Sequence, residues 1–225
     1  AAGRVILGGT SPEPRPMPAA RKLDLHKLNA AEYAAPRAPA LVAVRPARYL
    51  AIAGRGDPET PAFAEKVGAL YAVAYTVRMT LKRAGRDYKV AGLEGLWWGV
   101  GGSGWLVRRR REQWRWKLLL RVPPFVTAAH VAAAARRLAA KGKPKAVGRV
   151  KLETLAEGRA VQMLHVGPYV DEGPTLDAML AFATGRGLRF TGKHHEIYLN
   201  APERVKPEKL RTILRHPVRR GRAAR

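Results

Sequence analysis

The chain has 225 residues (24.7 kDa), is 47% hydrophobic, and sets 42 Lys+Arg against 17 Asp+Glu, a formal charge of +25. That length and apolar content suit a folded globular chain with a sizeable core and argue against disorder. No apolar run approaches the roughly 18 residues of a membrane-spanning helix, and the lack of cysteine excludes disulfides, thiolate metal sites and Cys nucleophiles.

Residues 1–20 are rich in Gly, Pro and Ala, with Pro12, Pro14, Pro16 and Pro18 on alternate positions. That spacing forbids a helix and predicts a disordered or extended arm. Val5-Ile6-Leu7 is too short for the apolar region of a secretory signal, and with no cysteine the expected location is the cytoplasm. Residues 21–40 are expected to lie across the surface, with ordered structure beginning at Leu41.

Two short strands, Leu41–Val44 and Tyr49–Ala53, flank a turn at Pro46, and Gly54-Arg55-Gly56-Asp57-Pro58 closes the pair. Phe63, Val67, Leu70, Ala74 and Val77 recur every three or four residues and predict a helix over 60–83, stopped by Gly85. Tyr71 and Tyr75 share a neighbouring face of it. Strands follow at about 88–98 and 114–122. A connecting helix over 127–141 then has Thr127 as N-cap and Gly142 as stop.

The second half repeats the order: strands at about 149–155 and 159–166, a turn at Gly167-Pro168-Tyr169, a helix over 172–184, and strands at 193–199 and 211–217. Asp171 and Glu172 suit the positive end of that helix. Strand, strand, helix, strand, strand, twice over, predicts an internally duplicated α+β fold with repeats at about 41–122 and 149–218. Eight strands would form one curved antiparallel sheet, with the long helices on one face and an open ligand groove on the other.

Alternation along His194-His195-Glu196-Ile197-Tyr198-Leu199 separates His195, Ile197 and Leu199 from His194, Glu196 and Tyr198. With the aliphatic set assigned to the helices, the imidazole, carboxylate and phenol fall on the open face. In the corresponding strand of the first repeat, Glu94, Leu96 and Trp98 share one face, and Leu93 and Trp97 the other. Glu94 and Glu196 thus take similar places in the two repeats. A carboxylate amid aromatics can pair with a cationic ligand or act as a base toward water; its bland alternative is a salt bridge to one of the many arginines. Trp97, Trp98, Trp114 and Trp116, read singly, are core residues; beside an acid they describe a pocket for a flat apolar molecule.

Other signals are weaker. Gly99–Gly104 fits G-x-G-x-x-G, but no helix follows to receive a pyrophosphate, so it reads as a loop tip. His194, Glu196 and His165 lack the spacing of a helical metal motif, and no metal or cofactor is expected. The two serines, Ser11 and Ser103, sit in no nucleophile elbow. The arginines form one block at Arg108–Arg111 and a tail, residues 219–225, but no nucleic-acid reader accompanies them. Non-specific DNA association at low salt is expected, and specific recognition is not.

Three stretches resemble the GyrI-like small-molecule-binding superfamily, and its stand-alone branch in particular: Gly92-Leu93-Glu94-Gly95-Leu96-Trp97-Trp98, Val161–Tyr169 with Asp171-Glu172, and Lys193–Leu199. The similarity spans about residues 21–218. It implies a duplicated fold with an aromatic groove for bulky, often cationic molecules, with Glu196 at the position of the family's buried acid. Some stand-alone relatives are cyclopropanoid hydrolases, which open the strained ring of DNA-alkylating natural products with water. In that light Glu196 is the candidate base, and Tyr71, Tyr75, Tyr198 and His165 are candidate proton donors. Trp97 and Trp98 are candidate stacking surfaces, with Glu94, Tyr169 and His194 completing the lining. The expected partner is a small molecule, with no membrane, and the protein a monomer or homodimer. The Pro-rich arm, the Gly/Arg insert at 99–112 and the Arg-rich tail depart from the relatives.

Overall fold

The computed structural model describes residues 22–99 and 110–221. The Pro-rich arm, the loop tip at 100–104, Arg108, Arg109 and the end of the basic tail lie outside the described residues.

The first half comprises α1 (Leu25–Leu28), α2 (Ala30–Tyr33), β1 (Ala40–Val44), β2 (Ala47–Arg55), α3 (Pro61–Arg83), β3 (Glu94–Gly99) and β4 (Trp114–Val122). Helix α4 (Ala128–Ala139) leads to β5 (Lys151–Leu155), β6 (Gly158–Val166), α5 (Gly173–Thr184), β7 (Leu188–Phe190), β8 (His194–Tyr198) and β9 (Arg211–Arg220). Local chemistry sets the helix ends. Pro61 opens α3, where its missing N–H costs nothing, and Gly85 takes a positive φ of 75° just beyond its end. Thr127 accepts the His130 N–H and starts α4.

The strands form a large, curved, unclosed antiparallel sheet in the order β1-β6-β9-β8-β3-β4-β2-β5, and β7 pairs with the far end of β9. The duplicated order is present, with β7 as an addition that the sequence did not signal. Each half exchanges its first strand: β1 pairs with β6 of the second half, and β5 with β2 of the first. The halves meet at β3 and β8, in the middle of the sheet.

Register fixes which side chains share a face. Leu50, Ile52, Trp97, Trp116, Leu118 and Leu120 point toward α3 and cluster with its Leu70, Val73 and Val77. Val161, Met163 and Leu214 point the same way, toward Leu176 and Met179 of α5. Burying each such side chain contributes roughly 1.5–3 kcal/mol. Glu196 stands opposite Gly95 and Leu214, so His194, Glu196 and Tyr198 lie on the helix-bearing face. The expected assignment is therefore reversed: the polar residues of β8 face the space between α3 and α5, and His195 and Ile197 point to the other side.

That other side is covered by residues 22–39, which are structured rather than leading loosely to Leu41. Leu23 bridges to Tyr88, and this pairing holds residue 88 out of the sheet, so the strand expected from 88 begins only at Glu94. Beneath the segment lies a buried ionic network. His195 sits between Glu94 and Glu157, 3.0 Å from each. Arg215 donates to the second oxygen of Glu157, to Gln162 and to the Glu32 carbonyl, and Arg121 donates to Glu32. Tyr33 donates to Glu94 at 2.7 Å. Burial opposes a charge on His195, but Glu157 and then Glu94 outweigh it and raise its pKa to about 9.

Candidate functional site

The site is built at the seam of the halves, on the face between α3 and α5. Residues two apart on a strand project to one side, so Glu196 and Tyr198 of β8 lie together. The Tyr198 hydroxyl donates to Glu196 Oε2 at 2.7 Å. From β3, the Trp97 indole N–H donates to the same Tyr198 oxygen at 3.2 Å. The result is a directed chain, Trp97 to Tyr198 to Glu196, crossing from one half to the other. Burial, and then the charge of Glu196, push the Tyr198 pKa well above its ordinary value, so the phenol stays protonated.

Aromatic rings wall the first-half side. Trp97 meets Trp114 edge-on at 5.9 Å, and Phe63 of α3 lies 6.1 Å from Trp97 and 4.8 Å from Trp116. On the second-half side, Tyr169 packs edge-on to Tyr198 at 5.7 Å. Gly167, at φ 134°, makes the turn that brings Tyr169 there.

Behind Glu196 sits a second acid. Glu172, just ahead of α5, makes no capping bond with its side chain; it is only 6% exposed and turns inward toward His194. His194 Nε2 is 3.2 Å from Glu196 Oε1 and 3.7 Å from Glu172 Oε2. Burial, and then the charge of Glu196, raise the Glu172 pKa. Burial disfavours a charge on His194, but the two carboxylates outweigh it and raise its pKa too. Among the described residues, Glu172 and Glu196 have His194 as their ion-pair partner and neither meets a Lys or Arg, in a chain with 42 of them.

The structure thus brings together Glu196, Tyr198, Trp97, Tyr169 and His194. Tyr71 of α3 packs against the same core cluster as Trp97, and the Tyr198 N–H reaches the Leu93 carbonyl. Burial raises the Tyr71 pKa, and burial together with the charge of Glu196 raises that of Tyr169. Tyr75 does not join: it is 52% exposed and lines a separate cleft between α3 and α4 with Met79, Arg83 and Arg137. Glu94 and Trp98 lie on the opposite face, Glu94 in the ionic network and Trp98 beneath the Lys193 ammonium at 3.6 Å. Both ring nitrogens of His165 are engaged locally, with Thr175 Oγ1 and the Pro168 carbonyl at 3.0 Å, so its ring braces the turn before α5. Arg111 pairs outward with Glu59 and Asp57. Sequence reasoning read Glu172 as a helix-end charge; its place in the motif after Tyr169 was the available signal for something more.

A buried acid held by a phenol beside an indole wall, on the sheet face that carries α3 and α5, suits a site for a small molecule. Comparison with known families agrees: residues 125–219 match the GyrI-like small molecule binding domain. The chain resembles an uncharacterised conserved protein from Listeria innocua at 39% identity, with TM-score 0.81, covering 88% of this chain and 100% of that one. A hydrolase from Listeria innocua is 37% identical with the same coverage and TM-score 0.78. The chain belongs to the GyrI-like small-molecule-binding family. The EcmrR C-terminal domain shares the fold at 11% identity and TM-score 0.55, covering 81% of this chain and 97% of that domain. Comparison with curated proteins gave no match.

Proposed function

We propose that the protein takes a bulky, planar molecule at the Glu196–Tyr198–Trp97 site and adds water to it, opening a cyclopropane ring of the kind found in DNA-alkylating natural products. The observation that carries the reading is the Glu196 carboxylate held by Tyr198 at 2.7 Å, with Trp97 completing the chain, on the face between the helices. The 37% identity to a Listeria hydrolase over the whole of that chain supports an enzyme rather than a carrier.

In this reading Glu196 removes a proton from water as the water oxygen bonds to a cyclopropane carbon. The ring C–C bond breaks, and its electron pair passes into the conjugated dienone, whose oxygen becomes a phenolate. Tyr71 is the better placed donor to that oxygen. The Tyr198 proton is committed to Glu196, which leaves Tyr71 of α3 as the phenol with a proton to give. The net change is one water added. Ring strain lowers the activation required, so few groups suffice.

The test is mass spectrometry of a cyclopropane-bearing alkylator incubated with the wild type and with Glu196→Gln. The expected result is a gain of one water in the wild type, slowed about 100-fold or more in the variant. Recovery of unchanged compound with both proteins would overturn the hydrolase reading and leave a binding protein, whose two buried acids without a Lys or Arg partner suit a cationic ligand.

A further inference from the structure

We propose that Glu172, His194 and Glu196 form a binding site for one divalent transition-metal ion, with Zn²⁺ the best match. One nitrogen and two carboxylate oxygens converge here within 4.8 Å of one another. Ligands about 2.1 Å from a zinc ion, at tetrahedral to octahedral angles, lie roughly 3.0–3.4 Å apart. The His194 Nε2 distances of 3.2 Å to Glu196 and 3.7 Å to Glu172 lie close to that spacing.

Two further observations point to an occupant. His194 and Glu172 are 7% and 6% exposed, yet His194 Nδ1 and Glu172 Oε1 make no hydrogen bond, and Nε2 has only its ion-pair approaches to the two carboxylates. Buried polar groups in that state are uncommon and costly. The surroundings agree. On the opposite face Glu32 and Glu157 have Arg121 and Arg215, but no Lys or Arg among the described residues reaches Glu172 or Glu196. The second oxygen of Glu196 is held by Tyr198, the kind of outer contact that orients a metal ligand. An imidazole with two carboxylates and no thiolate suits zinc, manganese or iron. The sequence named His194 and Glu196 but offered His165 as the third ligand; the fold supplies Glu172 instead.

The experiment is a calorimetric titration of the chelator-treated 225-residue chain with Zn²⁺, without any organic ligand, alongside Glu172→Gln, and zinc-edge anomalous diffraction from soaked crystals. Expected are one equivalent of tight binding, an affinity at least about 10-fold weaker in the variant, and an anomalous peak next to His194 Nε2. Binding unchanged in the variant, no binding, or a peak at another histidine would overturn the proposal. Because no substrate is present, that failure is separate from failure of the ring-opening reading.

Discussion

Gly54 is where one methyl group should do the most damage. It stands opposite Trp116 across β2 and β4, and the indole lies flat against it. A Cβ at residue 54 would fall 2.1 Å from Cη2 and 2.4 Å from both Cζ2 and Cζ3. Ordinary contact begins at 3.4 Å, so the ring would have to withdraw by 1.3 Å. It has nowhere to go. The indole N–H is tied to the Gly56 carbonyl at 3.1 Å, the Phe63 ring meets it at 4.8 Å, and the residue is 1% exposed. Overpacking of a tight core costs about 1–3 kcal/mol, and rigid aromatic neighbours place Gly54→Ala at the upper end. For a chain this size that is a fall in Tm of about 6–12 °C. Thermal melts by circular dichroism measure it, with Gly68→Ala as control, since nothing lies within 4 Å of a Cβ there. An unchanged Tm in Gly54→Ala would refute the argument that the Trp116 seat is closed.

Other outcomes follow from the same geometry. Tyr198→Phe leaves Glu196 Oε2 and the Trp97 indole N–H without their partner; the expected loss is about 2–3 kcal/mol in urea unfolding, with weaker ligand binding by fluorescence titration. Gly95→Ala puts a methyl 2.6 Å from Trp97 Nε1 and 3.1 Å from the Tyr198 hydroxyl, and should weaken ligand binding by about 10-fold while shifting Tm less than Gly54→Ala does. Burial would raise Glu157, but His195 and Arg215 hold it at about 2 against an ordinary 4.5. Its stabilising contribution is therefore complete above about pH 4.5 and is lost as pH falls toward 2. Urea midpoints measured across that window should drop by the equivalent of about 3 kcal/mol, and Glu157→Gln should flatten the drop.

The duplicated order of strands and helices was legible because apolar period and turn residues are local signals, and the three sequence motifs located β3, the turn before α5, and β8. The faces were not. Alternation separates Glu196 from Ile197, but which set meets the helices depends on what covers the back of the sheet. That cover is residues 22–39, whose mixed composition gave no hint of structure. With it in place, burying His195 is tolerable because Glu94, Glu157 and Tyr33 surround it. Glu94 and Glu196 looked equivalent by position in their repeats, yet the register sets Gly95, not Glu94, opposite Glu196, and so puts the two acids on opposite sides. Glu157 escaped notice altogether. It lies in the β5–β6 turn next to Gly158, where a charged residue reads as solvated, and only the long-range pairing with Arg215 makes it interior.

The exchange of first strands bears on how such a protein can arise or be divided. A chain cut between α4 and β5 yields two pieces, each carrying an edge strand whose hydrogen-bonding partner lies in the other. Neither piece can complete its own share of the sheet, and only reassociation restores it. An ancestor with a single repeat could have built this sheet only by lending its first strand to a twin.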